Sequence, residues 1–140
     1  MLADGFYEWK KISGSKIKQP YYFTRADGEP LAFAGLWEEW RGPERDGHAM
    51  RSVTILTTGA NGMMAPIHDR MPVILPPSSW DGWLDRSQDD PAQLDPLLVP
   101  APDSLLAMRA VSTEVNNARS AGRQLIDPVE PATEVQGTLI

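Results

Sequence analysis

Thirteen prolines and eleven glycines punctuate these 140 residues. Proline fixes φ and removes a backbone donor, so neither residue belongs inside a long helix or a central strand. The chain is thereby restricted to short elements joined by many turns. Its length suits one hydrophobic core rather than two. No apolar run approaches the ~20 residues of a membrane-spanning helix, and no charged-then-apolar leader opens the sequence. No membrane partner is expected. Cysteine is absent from the 140 residues, which excludes a disulfide, a thiolate metal site or a thiol nucleophile within them and fits a reducing compartment.

The net charge of −6 argues at first against a nucleic-acid partner. Its distribution is uneven. Residues 1–70 hold nine Lys+Arg and nine Asp+Glu, whereas residues 71–140 hold four and ten. The acidic excess therefore lies in the second half, which leaves room for a local basic groove in the first.

Period and turn chemistry predict an α+β domain, strand-rich first, then helices, then a strand. Gly5–Lys11 reads as a strand and Lys10–Lys18 as an exposed loop. Tyr21–Arg25 and Leu31–Leu36, joined by the turn signal Ala26-Asp27-Gly28-Glu29-Pro30, read as a hairpin. Trp37–Gly47, with six charges and two glycines, reads as a second loop. Arg51–Thr58 is a strand ending at Gly59, and Asn61 caps a short turn that Pro66 ends. Val73–Leu75 is a short buried strand. A helix runs from Pro76 through Leu84, with Trp80, Trp83 and Leu84 on one face. Another starts at Asp90-Pro91, Leu106–Thr113 returns as a strand, and the chain beyond Gly122 reads as extended.

Two clusters carry chemistry. Ala65-Pro66-Ile67-His68-Asp69-Arg70-Met71-Pro72 holds an imidazole, a carboxylate and a guanidinium between prolines, a way to present a site. Asp4-Gly5-Phe6-Tyr7-Glu8-Trp9 places a carboxylate between large aromatics. His68 is either structural or a proton-transfer group, for which an imidazole's ordinary pKa near ~6.5 is suited. His48, in a glycine-rich charged loop, has no assigned role. Glu8 either faces solvent or, desolvated by its aromatic neighbours, both gives and takes protons. Trp9 is either a core aromatic or a platform for a nucleobase. Arg70 is a salt-bridge partner or a fork for phosphate oxygens. Thr57 and Thr58 cap a turn or offer hydroxyls to phosphate. Trp80, Trp83, Met63 and Met64 read as packing. Two separated histidines and scattered carboxylates give no metal-ligand spacing. The glycines form no phosphate loop, and no cofactor is expected.

Taken in order, Asp4-Gly5-Phe6-Tyr7-Glu8-Trp9, Leu56-Thr57-Thr58-x-Ala60-Asn61, Ile67-His68-Asp69-Arg70-Met71-Pro72 and Val111-Ser112-x-x-Val115-Asn116 resemble the SOS response-associated peptidase (SRAP) family of abasic-site processing proteins. The resemblance implies a mixed, mostly antiparallel sheet curled into a small barrel-like core with short peripheral helices, incomplete at the N-terminus. It implies one SRAP-like domain over 1–130 and an extended acidic tail over 131–140. Members of the family bind single-stranded DNA at abasic sites and attack the opened sugar aldehyde with an N-terminal cysteine, closing a thiazolidine crosslink. By the same resemblance Glu8 and His68 are catalytic, moving protons and assisting ring opening, and Trp9, Thr57 and Arg70 contact DNA. A bacterial cytoplasmic location, nucleoid-associated when on DNA, follows from the same likeness.

The family's cysteine precedes the Tyr-Glu-Trp block by a long segment; in this sequence the block begins at residue 4 and no cysteine occurs. The expectations are a C-terminal portion of the family domain, unable to crosslink by itself, with self-association through faces that the other portion would cover. A non-catalytic single-stranded nucleic-acid binder and an inert remnant are the alternatives.

Overall fold

The computed structural model describes residues 1–42, 48–88 and 90–132. Nine strands, each of two to seven residues, form four small antiparallel sheets among these residues. β1 (Leu2–Ala3) pairs with β4 (Leu31–Ala32). β2 (Phe6–Lys10), β3 (Gln19–Arg25) and β9 (Leu106–Ala110) make a three-stranded sheet with β3 in the middle. β5 (Gly35–Trp40) pairs with β6 (Met50–Ile55), and β7 (Thr57–Gly59) with β8 (Arg70–Pro72). The one α-helix among the described residues, α1, spans Trp80–Leu84 after a 3₁₀ turn at Pro77–Ser79. Further 3₁₀ turns connect the second half.

Single backbone bonds stitch the small ladders together. Ala34 N–H donates to Val73 O, Val73 N–H to Leu56 O, Leu56 N–H to Ala34 O and Leu75 N–H to Ala32 O. Val73–Leu75 is buried as the sequence predicts, though in place of the predicted strand it makes a single bridge, from Ile74 to Phe33. The core centres on Phe23, which is fully buried and stacks on Phe6 at 5.1 Å between ring centroids. Phe6 also meets the edge of Phe33 at 5.7 Å. Met64, Ile67, Met71 and Leu106 complete this cluster. A second cluster joins Val73 and Leu75 to Trp80 and Trp83.

The architecture corrects four expectations. The ladders do not close into a barrel among the described residues. Strands this short, interrupted by Pro30, Pro66, Pro72 and Pro76, do not sustain the continuous hydrogen bonding that closure needs. The predicted hairpin across residues 26–30 does not form; β2 and β9 take both edges of β3, and residues 31–32 cross to β1. Pro30 has no N–H to begin a returning ladder. Residues 37–40, read as loop, are strand: Glu39 faces Arg51 across the ribbon, with Arg51 Nε 3.2 Å from Glu39 Oε2. The remainder of that predicted loop at 43–47 lies outside the described residues, as do residues 133–140 of the expected tail. Finally, the chain after Gly122 docks rather than extends freely. Leu125 is buried, Val129 N–H donates to Ala110 O, and Ala132 N–H donates to Gln19 Oε1.

Gly5 is required where β2 enters the sheet. A Cβ there would lie 2.3 Å from Phe23 O and 2.6 Å from the Tyr22 ring. Because a backbone oxygen cannot swing aside, Gly5→Ala should lower stability by about 1–3 kcal/mol. A lower urea midpoint with an unchanged m-value checks this.

Tyr22 supplies a second test. Its phenol is held above the ordinary tyrosine value of 10.0, first by burial and then by Tyr7 and Asp4, with Arg109 opposing. The folded state therefore favours the protonated phenol. That stability is whole below the unfolded value and is lost as pH rises through the interval above it. Denaturation measured from about pH 9 to 11 should show a steeper fall for the parent than for Tyr22→Phe.

Candidate functional site

Asn61 builds the loop that carries His68. Its side-chain oxygen accepts from Met64 N–H at 2.9 Å, and its carbonyl accepts from Ala65 N–H at 2.9 Å, the capping role read from the sequence. Its amide nitrogen donates to Ala101 O at 2.9 Å, tying the turn to a segment 40 residues away. Met64 O then accepts from both Ile67 N–H and His68 N–H. Asp103 adds a contact from Oδ1 to Met63 N–H at 3.3 Å. The loop is thus fixed from both ends, with Met64 and Ile67 in the core and His68, Asp69 and Arg70 exposed at its far end.

His68 Nδ1 accepts from Arg70 N–H at 3.1 Å and lies 3.2 Å from Asp69 Oδ1. Nδ1 serves one of these contacts at a time, its lone pair accepting from Arg70 N–H and a proton at that nitrogen donating to the carboxylate. The guanidinium of Arg70 crosses the β7–β8 ribbon diagonally and donates to Thr57 Oγ1. Directly opposite Arg70 in the register stands Gly59, which has no side chain to obstruct it. Thr58, by contrast, is used structurally, donating to Leu98 O at 3.3 Å.

Glu8 and Trp9 sit on β2, and strand alternation sends them to opposite faces. Glu8 shares its face with Phe6 and lies opposite Tyr21, and both of these pack on the cluster containing Ile67 and Met71. The half-buried carboxylate is therefore on the side of the sheet that faces the His68 loop. Trp9 lies on the other face with Tyr7 and Tyr22, beneath which Arg109 stacks at 5.1 Å. Its indole N–H donates to Asn116 Oδ1 at 2.6 Å. Thr57, His68 and Arg70 are thus one group, Glu8 faces the loop that carries it, and Trp9 is held separately by Asn116.

The sequence reading missed Asn116 as a partner of Trp9 and the second half of Asn61's amide. Both bonds span long chain separations, so no local spacing reveals them. Asn116 was visible only as the last residue of a family-like block. Among the described residues no group of three or more His, Asp or Glu side chains could hold a metal ion.

The sequence matches the family described as SOS response associated peptidase (SRAP) over residues 1–118. It is 39% identical over 125 residues to the "Abasic site processing protein YoqW" of Bacillus subtilis, covering 89% of this chain and 54% of that protein. The chain belongs to the SRAP family. It is also 33% identical over 130 residues to the Escherichia coli "Abasic site processing protein YedK", covering 91% of this chain and 56% of YedK. A Bacteroides thetaiotaomicron crystal structure superposes with a TM-score of 0.81 at 22% identity, over 93% of this chain and 56% of that one. This likeness shows a shared fold. The SRAP chain described here spans about half the length of the curated relatives it matches. No helix among the described residues is long and apolar enough to cross a membrane.

Asn61→Ala should cost about 1–3 kcal/mol, because the Ala101 carbonyl and the Met64 N–H each lose a partner. Hydrogen exchange should rise locally at residues 63–68 before global unfolding.

Proposed function

We propose that this chain supplies the proton-transfer and phosphate-contacting side of a domain that processes abasic sites in single-stranded DNA. The observation that carries the reading is the grouping of Arg70 and Thr57 on the β7–β8 ribbon with His68 in the loop leading into it, and Glu8 on the sheet face turned toward that loop. The names of the SRAP relatives supply the substrate class.

In this reading Arg70 and Thr57 hold a backbone phosphate. Their mutual bond orients the fork before DNA arrives, so less freedom is lost on binding. His68 assists opening of the abasic sugar. The anomeric hydroxyl loses a proton, the ring oxygen gains one, and the bond from the anomeric carbon to the ring oxygen breaks to leave an aldehyde and an alcohol. An imidazole serves both transfers because either nitrogen takes or gives a proton near neutrality. Glu8 then relays protons while an amine adds to the aldehyde and water departs. The amine and thiol of that step come from outside these 140 residues, which hold no cysteine. Trp9, fixed by Asn116, stacks against an adjacent base. The lack of cysteine within the chain also favours a second reading, in which the same residues bind single-stranded nucleic acid without chemistry.

Fluorescence anisotropy with abasic and intact single strands tests both. The expected result is salt-dependent binding that prefers the abasic strand. Arg70→Ala should weaken it and reduce the log–log salt slope by about 0.7. Binding indifferent to the lesion selects the second reading, and no binding overturns both. A denaturing gel should show no covalent band for the chain alone; a band would refute the assignment of the nucleophile. With a cysteine-bearing SRAP segment supplied, Glu8→Gln or His68→Ala should slow crosslinking by about 10²–10⁴-fold at unchanged affinity.

A further inference from the structure

Residues 9–26 carry Lys10, Lys11, Lys16, Lys18 and Arg25 and not one Asp or Glu, in a chain whose net charge is −6. A merely solvated surface ordinarily mixes the two signs. Arg25 is neutralised by Asp27, but none of the four lysines forms an ion pair among the described residues. Three of them, Lys11, Lys16 and Lys18, are exposed on the loop that joins β2 to β3. None belongs to the group of Thr57, His68 and Arg70.

The loop has a defined shape. Ile12 is buried near its start and Gln19 at its end. Ser15 N–H donates to Ile12 O at 3.1 Å across Gly14, whose φ of 76° lies in the left-handed region, and Ser15 Oγ accepts from Ile17 N–H at 3.1 Å. The Gln19 amide donates to Val111 O at 2.9 Å. Position matters as much as charge. Trp9 lies opposite Pro20 and Lys10 opposite Gln19, so the lysines begin at the residue after Trp9. Asn116, which holds the Trp9 indole, is followed three residues on by Arg119, exposed and without an ion pair among the described residues. The segments bonded to this end of the sheet, residues 113–116 and 128–132, bring two carboxylates, Glu114 and Glu130. Neither of these is paired with a lysine.

An aromatic ring followed by unpaired cations is the make-up of a single-strand track, on which bases stack while positive groups follow the backbone. We propose that the β2–β3 loop grips phosphates of the single strand flanking the lesion, beyond the base on Trp9, through Lys16 and Lys18. Such a grip lengthens the footprint past the Arg70–Thr57 contact on one side of the lesion. A lysine ammonium is a point charge on a flexible stem, so it holds phosphate without reading sequence. The inference rests on the reading of Trp9 as a base platform and of Arg70 as a phosphate contact.

Anisotropy of the 140-residue chain with abasic strands of about four and about 20 nucleotides tests it. Lys16→Glu with Lys18→Glu should weaken binding of the long strand by about tenfold or more and lower its log–log salt slope by about 1.4, at about 0.7 for each phosphate. Binding of the short strand, which reaches only the Arg70 and Trp9 contacts, should change little. The loss should return when the short strand is extended on one side of the lesion and not when it is extended on the other. Arg41→Glu with Arg86→Glu, an equal change of net charge on other elements, should leave both lengths unaffected. Arg70→Ala should weaken both lengths. If it does while the loop variant leaves the long strand unchanged, the loop proposal is overturned and the underlying reading stands. An equal loss at both lengths, or on extension to either side, overturns the proposal as well, since the loop then acts only through the overall field. No binding by the parent chain overturns both. Sedimentation with phosphatidylserine vesicles that the loop variant abolishes, with the long strand unaffected, overturns it in favour of a lipid surface.

Discussion

The stack of Phe6 on Phe23, with Phe33 at the edge of Phe6, is the joint on which the rest of the molecule depends. Lying within the three-stranded sheet, the Phe6–Phe23 pair presents the apolar face onto which a loop that shares no ladder with the sheet is packed. Met64, Ile67 and Met71 enter the same cluster from the turn and from β8. That cluster thereby joins the sheet bearing Glu8 to the loop bearing His68. Sheets of two or three short strands have little independent stability. Their relative placement is consequently a packing problem, and aromatic rings with large buried area solve it.

Around that joint the polar groups are arranged so that each orients another. Asn61 closes its turn and anchors it to Ala101. Arg70 is held by Thr57, and its own amide holds the His68 ring. Asn116 holds Trp9. No buried side-chain nitrogen or oxygen lacks a partner among the described residues. The exposed ion pairs, such as Arg25 with Asp27, contribute little by comparison.

Much of this was legible in the residues, and the parts that were not share a cause. Local signals worked where the interaction is local: the Asn61 cap, the Asp90 cap on Ala92 N–H, and the β2 strand. The buried Val73–Leu75 run was readable from composition alone. Partner choice was not. Nothing near Ala26–Pro30 announces that β3 will pair with residues 106–110, because that pairing is set by which apolar face meets which. Residues 37–40 misled for a different reason: their charges sit on a ribbon open on both sides, so the usual inward–outward contrast is missing. For the site, the residue types and the proline-bounded loop were informative. The separation of Trp9 from Glu8 follows from alternation on one strand, yet which of them faces the core required the structure.

That separation has a geometric consequence. β2 is an edge strand among the described residues, and Glu8 and Trp9 project from its two sides. A polymer touching both must fold over the rim of the sheet, like a ribbon drawn across a table edge. Stacked duplex resists so sharp a turn within one or two nucleotides, whereas an unpaired strand with a missing base pivots there cheaply.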